Sequence, residues 1–200
     1  MKIVLASGNP GKAREVRAAL EGMNVELLLP DEAGFRFEVE ETGSTYAENA
    51  LIKARAACEA SGLPALADDS GVEVDALPGE LGVRSARFGG EGLNDSGRNA
   101  LLLERMRDVP EAERGARYVC VLAYVKPGGW FGFFEGALRG RILRAPRGEG
   151  GFGYDPLMYL PEQNGAVSEL PIDLKNRISH RGIALAEFRA WLAREAGDGA

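Results

Sequence analysis

The first thirty residues restrict the fold more than any other stretch. "KIVLA" (Lys2 to Ala6) is a short apolar run that stops at Ser-Gly-Asn-Pro-Gly. From Lys12 the apolar positions Val16, Ala19 and Leu20 recur at helical spacing, which predicts a helix over 10–21 ended by Gly22. "VELLL" (Val25 to Leu29) then reads as a second strand. Strand, loop, helix and strand in that order form a β-loop-α-β unit.

The rest of the chain continues in the same manner. Thr45 and Glu48 have capping-box spacing, and Ala50, Ile52, Ala54 and Ala57 carry a helix to Gly62. "PALADDSGVEVDALPG" predicts a strand rising to Ala67, two carboxylates, a Ser-Gly turn and then the alternating "VEVDAL". In "NDSGRNALLLERMRDVP", Asn94 or Asp95 caps a helix whose buried face holds Leu101, Leu102 and Met106. "ARYVCVLAYV" and "GWFGFFEGALRGRIL" are two β-rich runs of expected antiparallel pairing, and "RGEGGFGYDP" is a second glycine-rich loop. The C-terminal run is helical, with Ala184, Phe188, Trp191 and Leu192 on one face and Ser179 as a cap midway. Helices at both ends of a β-rich middle predict an α/β protein with a mixed twisted sheet flanked by helices. Without a repeat or a low-complexity linker, residues 1–200 read as one domain.

Composition excludes two classes of partner. The net charge is −6 and no basic run neutralises phosphates in series, so nucleic acid is not an expected partner. No apolar run approaches the roughly 20 residues of a membrane span, and none has the form of a leader. Cys58 and Cys120 are far apart and suit two buried thiols in a reducing cytoplasm. Among 24 basic residues only Lys2, Lys12, Lys53, Lys126 and Lys175 are lysines, and three of these lie beside the densest polar clusters. That placement fits either chance or a need for a compact ammonium.

Four clusters carry chemistry. Ser7, Gly8, Asn9, Pro10, Gly11 and Lys12 leave a strand and open a helix, so the turn fits either an ordinary β-α connection or a phosphate grip at a positive helix end. Glu40 with Glu41, and Asp68 with Asp69 followed by Ser70, are adjacent carboxylates. They are either solvated turn residues or a hard-oxygen site for Mg²⁺, which takes one or two carboxylates plus substrate phosphates. In Phe152, Gly153, Tyr154 and Asp155 the aromatics either stack on a base or pack inward. His180, the only histidine, stands next to Arg181 and near Lys175, where an anion or base-edge contact competes with a surface or capping role.

Taken together, "SGNPGK", "ETGSTYAENALIKA", "ADDSGVEVDAL", "GVRSARF", "GGFGYDP" and "KNRISHRG" closely resemble, in order, the motifs of the inosine triphosphate pyrophosphatase family, the house-cleaning hydrolases of aberrant purine nucleotides. The weakly matching segments are the loop around Glu91 and the run from Lys126 to Arg144. The resemblance implies an elongated α/β fold of two lobes with a central cleft, a homodimer and Mg²⁺. It implies hydrolysis of dITP, ITP and XTP to the monophosphate and pyrophosphate. Ser7 to Lys12 would hold the triphosphate, Lys53 and Lys175 would add charge, and Phe152 to Asp155, His180 and Arg181 would form the base pocket. Asp69 would be the general base, with Glu41, Asp68 and Asp69 holding or orienting the metal, the division between the two aspartates being left open. Inosine and xanthine carry a 6-keto acceptor, so donors from His180, Arg181 or the backbone would disfavour adenine. Two competing functions are a related-scaffold hydrolase of other nucleotides and a nucleotide-binding regulator without turnover.

Overall fold

A computed structural model of the chain describes residues 1–90 and 92–197; Glu91, at the centre of the weakly matching loop, and residues 198–200 lie outside them. The elements are β1 (Lys2–Leu5), α1 (Pro10–Ala19), β2 (Glu26–Leu28), α2 (Tyr46–Ser61), β3 (Ala65–Val74), α3 (Asp95–Arg105), β4 (Gly115–Val125), β5 (Phe131–Ile142), β6 (Met158–Leu160), β7 (Gly165–Ala166), α4 (Ile172–Ile178) and α5 (His180–Gly197). The strands form one seven-stranded sheet in the order β2-β1-β3-β4-β5-β6-β7. β1 is parallel to β2 and to β3, whereas β6 is antiparallel to β5 and β7, so the sheet is mixed as expected. No helix of the described residues is long and apolar enough to cross a membrane.

The residues cluster into two compact units. The first comprises Met1–Asp69, Cys120–Gly136 and the chain from His180 onward. Here the strands are buried on both faces, which explains their unbroken apolar sequence. Ile3, Leu5, Leu66, Cys120, Leu122 and Tyr124 pack on α1 and α5 through Val16, Leu185 and Phe188. The alternate residues Val4, Ala6, Ala65, Ala67, Ala123 and Val125 face α2 through Ala50, Ala54 and Ala57. The small residues on this second face admit the helix closely. Thr45 and Glu48 cap α2 reciprocally, as their spacing predicts.

The second unit comprises Ser70–Val119 and Ala137–Ser179. Its core holds Val72, Val74, Leu102, Met106, Ile142 and Leu157. Arg114 is buried within it, and its guanidinium donates to the carbonyls of Met106, Ile142 and Leu143 at 2.7–2.9 Å. Asn94 caps α3 by accepting from the Gly97 N–H.

Two local expectations are corrected. No turn interrupts "ADDSGVEV"; β3 runs unbroken from Ala65 to Val74. Gly71 is a close-approach residue instead, because a Cβ there would collide with the Gly82 carbonyl and the Ser85 hydroxyl. The C-terminal helical run is two helices, with Ser179 extended between them (φ −66°, ψ 155°).

Candidate active site

β3 positions the central carboxylates. Successive residues of a strand point to opposite faces, so Asp68 follows Leu66 towards α1 and α5, while Asp69 follows Ala65 and Ala67 towards α2. The adjacent pair is thereby separated, and each carboxylate has its own cations.

Asp68 is 2% exposed, and its Oδ2 meets Lys12 Nζ at 2.8 Å and Arg181 Nη2 and Nε at 3.1 and 3.3 Å. Arg181 Nη1 donates in turn to Glu15 Oε2 at 2.5 Å. Burial by itself would raise the Asp68 carboxyl, but the Lys12 and Arg181 cations outweigh it and hold it well below the usual carboxylate range. Cys120 lies near the same cluster, its thiol pushed up to about 12 by burial and by Asp68. Asp68 is thus a fixed negative charge.

Asp69 differs in kind. Its Oδ1 meets Lys53 Nζ at 3.3 Å, and its Oδ2 accepts from Asn49 Nδ2 at 3.2 Å. Lys53 also pairs with Glu41 Oε1 at 2.6 Å. Burial pushes the Asp69 carboxyl upward; Lys53 opposes this, Glu41 adds to it, and the result stays raised. Burial disfavours the Lys53 ammonium, yet Asp69 and Asp68 keep it charged and above its ordinary value. One aspartate is locked in its ionised form while its neighbour is biased towards taking a proton. Glu41 is half-buried in this cluster, whereas Glu40 is exposed.

The Ser7–Lys12 turn joins β1 to α1. Asn9 is the N-cap, its Oδ1 accepting from Gly11 and Lys12 at 2.8 and 3.2 Å, and Ser7 Oγ accepts from Asn9 N–H. Gly8, Asn9 and Pro10 are exposed. A Cβ at Gly8 would meet no protein atom, and its φ lies outside the left-handed region, so nothing in the fold demands glycine there. In β3, Ser70 follows Asp69 and is half-buried. His180 opens α5 and is buried, and its carbonyl lies so close to Gly136 that a Cβ on Gly136 would collide with it.

In the second unit, Asp155 gathers a separate group. Its Oδ1 accepts from the Tyr118 hydroxyl at 3.1 Å, and its Oδ2 accepts from Lys175 Nζ at 2.9 Å and Phe152 N–H at 3.0 Å. Burial, reinforced by Asp155, holds the Tyr118 hydroxyl well above its ordinary range, so it stays a proton donor. Lys175 Nζ also lies 4.6 Å from the centre of the Phe152 ring, which is 36% exposed. Tyr154 packs inward, its hydroxyl donating to the Ser85 carbonyl at 2.8 Å.

Sequence reasoning missed Asn49, Glu15 and Tyr118. Asn49 carried one readable signal, a polar residue four before Lys53 on the alanine-lined face of α2. It also receives the Gly43 N–H at 2.8 Å and leaves no room for a Cβ on Gly43. Glu15 and Tyr118 carried none.

The chain is similar to proteins of known kind along nearly its whole length. A dITP/XTP pyrophosphatase of Thermus thermophilus is 53% identical over 185 residues, covering 92% of this chain and 88% of that protein. One of Geobacter sulfurreducens is 50% identical over 191 residues, covering 96% of each. The solved structure of a HAM1 protein from Coxiella burnetii is similar with a TM-score of 0.89 at 39% identity, covering 97% of this chain and 99% of that one. The Ham1 family pattern matches residues 3–191, a span that holds both aspartates, the Ser7–Lys12 turn and the Asp155 group, and the chain belongs to the Ham1 family.

Proposed function

We propose that this chain is a nucleoside triphosphate pyrophosphatase that hydrolyses ITP, dITP and XTP to the monophosphate and pyrophosphate with the help of Mg²⁺. The observation that carries the reading is the division of labour at β3: Asp68 kept ionised by Lys12 and Arg181, Asp69 raised beside Lys53 and Glu41. Asp69 takes the proton of the attacking water as its oxygen bonds to the α-phosphorus, and the bridging oxygen leaves with pyrophosphate. The relatives named dITP/XTP pyrophosphatase support the substrate class.

The donor chemistry fits Mg²⁺. Glu41 and Asp69 offer hard oxygens around one shared ammonium. Among the described residues no group of three or more His, Cys, Asp or Glu side chains is placed to hold a metal. Two carboxylates completed by phosphate and water suit Mg²⁺, which seldom occupies an all-protein cage. When bound, Mg²⁺ supplies positive charge to the phosphate oxygens. The free space over Gly8 supports a close approach of phosphate to the backbone of Ser7–Lys12. The exposed ring of Phe152 supports stacking on the base, whereas His180 and Arg181 are buried and the Arg181 guanidinium is engaged by Asp68 and Glu15.

We also assign a homodimer, supported by the exposed, mutually packed rings of Phe131 and Phe133 on β5, and a cytoplasmic setting, supported by the buried free thiols Cys58 and Cys120.

The test incubates the protein with Mg²⁺ and, in parallel, ITP, XTP, GTP, ATP and CTP, measuring pyrophosphate and orthophosphate separately, with and without EDTA. Pyrophosphate from ITP and XTP, lost with EDTA and restored by Mg²⁺, is the expected result. Orthophosphate as product, or equal turnover of all five, overturns it.

A further inference from the structure

Gly153 stands between Phe152 and Tyr154, and both of its backbone polar groups are claimed by one helix. Its N–H donates to Asp95 Oδ2 at 2.7 Å, and its carbonyl accepts from Asn99 Nδ2 at 3.0 Å. Asp95 and Asn99 lie four residues apart in the first turns of α3 and therefore share a face. Gly153 adopts φ +63°, which a residue with a side chain seldom tolerates, so the loop is shaped for this docking. Neighbouring bonds fix the Tyr154 hydroxyl on Ser85 and the Asp155 carboxylate on Tyr118 and Lys175. The helix clamp orients the two peptide planes that join Phe152 to Tyr154.

Asn99 can serve the clamp in one orientation only. A carbonyl only accepts, so the Asn99 amide nitrogen must face Gly153 and its Oδ1 must face away. That oxygen is buried without a hydrogen-bond partner among the described residues. A buried acceptor without a donor costs stability, and an apolar side chain would move that cost to the Gly153 carbonyl.

We propose that Asp95 and Asn99 are positioning residues for base recognition, which set the angle at which the Phe152 ring meets a purine by holding Gly153 from both sides. The inference rests on the reading of Phe152 to Asp155 as the base-contacting loop. The bonds of the clamp run to the backbone of the base-contacting loop, so it acts on base binding rather than on the phosphorus chemistry.

The experiment compares the parent protein with Asn99→Leu, Asp95→Ala and Asp95→Asn, measuring kcat and KM for ITP and ATP together with melting temperature. Asn99→Leu and Asp95→Ala are expected to raise KM for ITP about tenfold and to lower the ITP-over-ATP ratio of kcat/KM by a similar factor, with kcat for ITP within about threefold of the parent. Asp95→Asn keeps an acceptor for the Gly153 N–H and is expected to behave like the parent. Parental KM and ratio in both disruptive variants overturn the inference, as does a uniform loss of kcat on both nucleotides. The Asp95 side chain is 57% exposed, so Asp95→Ala answers the question even where Asn99→Leu fails to fold. A parent that releases no pyrophosphate from ITP overturns the functional reading and this inference with it, and that outcome is read from the parent alone.

Discussion

Asp69 owes its raised carboxyl to burial, and the balance of its neighbours makes that value adjustable in both directions. Asn49 hydrogen-bonds the ionised form and Lys53 attracts it, whereas Glu41 repels it. A general base works when deprotonated, so the acid limb of kcat/KM for ITP follows the Asp69 carboxyl. Asn49→Leu removes a bond to the ionised form and is expected to move that limb to higher pH by roughly 0.5–1 unit. Glu41→Gln removes a negative neighbour and is expected to move it lower. Shifts in the same direction, or none, would take Asp69 out of the role. At this scale the sequence was partly legible. The pair "DD" at the end of an apolar run marked the carboxylates, and period-two geometry separates them once the strand is known to continue. One of the two cations that fix Asp68, Arg181, lies 113 residues away, and no local pattern announces a pairing of that span. The two aromatics of the "GGFGYDP" loop read alike; only packing distinguishes the exposed Phe152 from the buried Tyr154.

Among the elements, β3 was misjudged at the point where it matters. A Ser-Gly pair after two aspartates has the composition of a turn, but glycine also appears where another backbone segment presses against a strand. At Gly71 that segment is Gly82 to Ser85, and the Ser85 hydroxyl accepts from the Val72 N–H at 2.9 Å. Sequence cannot tell the two uses apart because both select for the missing Cβ. Gly71→Ala is expected to destabilise the chain by about 1–3 kcal/mol through overpacking, lowering the melting temperature by several degrees. Gly8→Ala, which meets no atom, is expected to leave the melting temperature unchanged while raising KM for ITP. Equal melting temperatures for Gly71→Ala and the parent would return Gly71 to the status of an ordinary strand residue. By contrast, α2 was readable from Thr45 and Glu48 because a capping box is a local contract between residues three apart. The break at Ser179 between α4 and α5 was read as a cap but not as a separation of two helices.

For the molecule as a whole, 30 acidic residues face 24 basic ones, yet its acid sensitivity should depend heavily on one buried carboxylate. Asp68 has a folded-state value far below its unfolded one, so it contributes stability that is fully present above the unfolded value near pH 4 and is lost as pH falls below that. Asp68→Asn leaves Lys12 and Arg181 without their shared counter-charge and is expected to cost about 3 kcal/mol at neutral pH. Below about pH 4 the parent should lose roughly 1.4 kcal/mol per pH unit through this group while the variant loses none through it, so the two stabilities converge. Other carboxylates titrate in both proteins and cancel in the difference. The measurement is urea unfolding across pH 2–7 followed by tryptophan fluorescence. Both tryptophans, Trp130 and Trp191, belong to the unit that holds Asp68, so the signal reports the affected structure. Parallel stability curves would mean that Asp68 is not held ionised by its two cations, and the division of roles between Asp68 and Asp69 would fall with it.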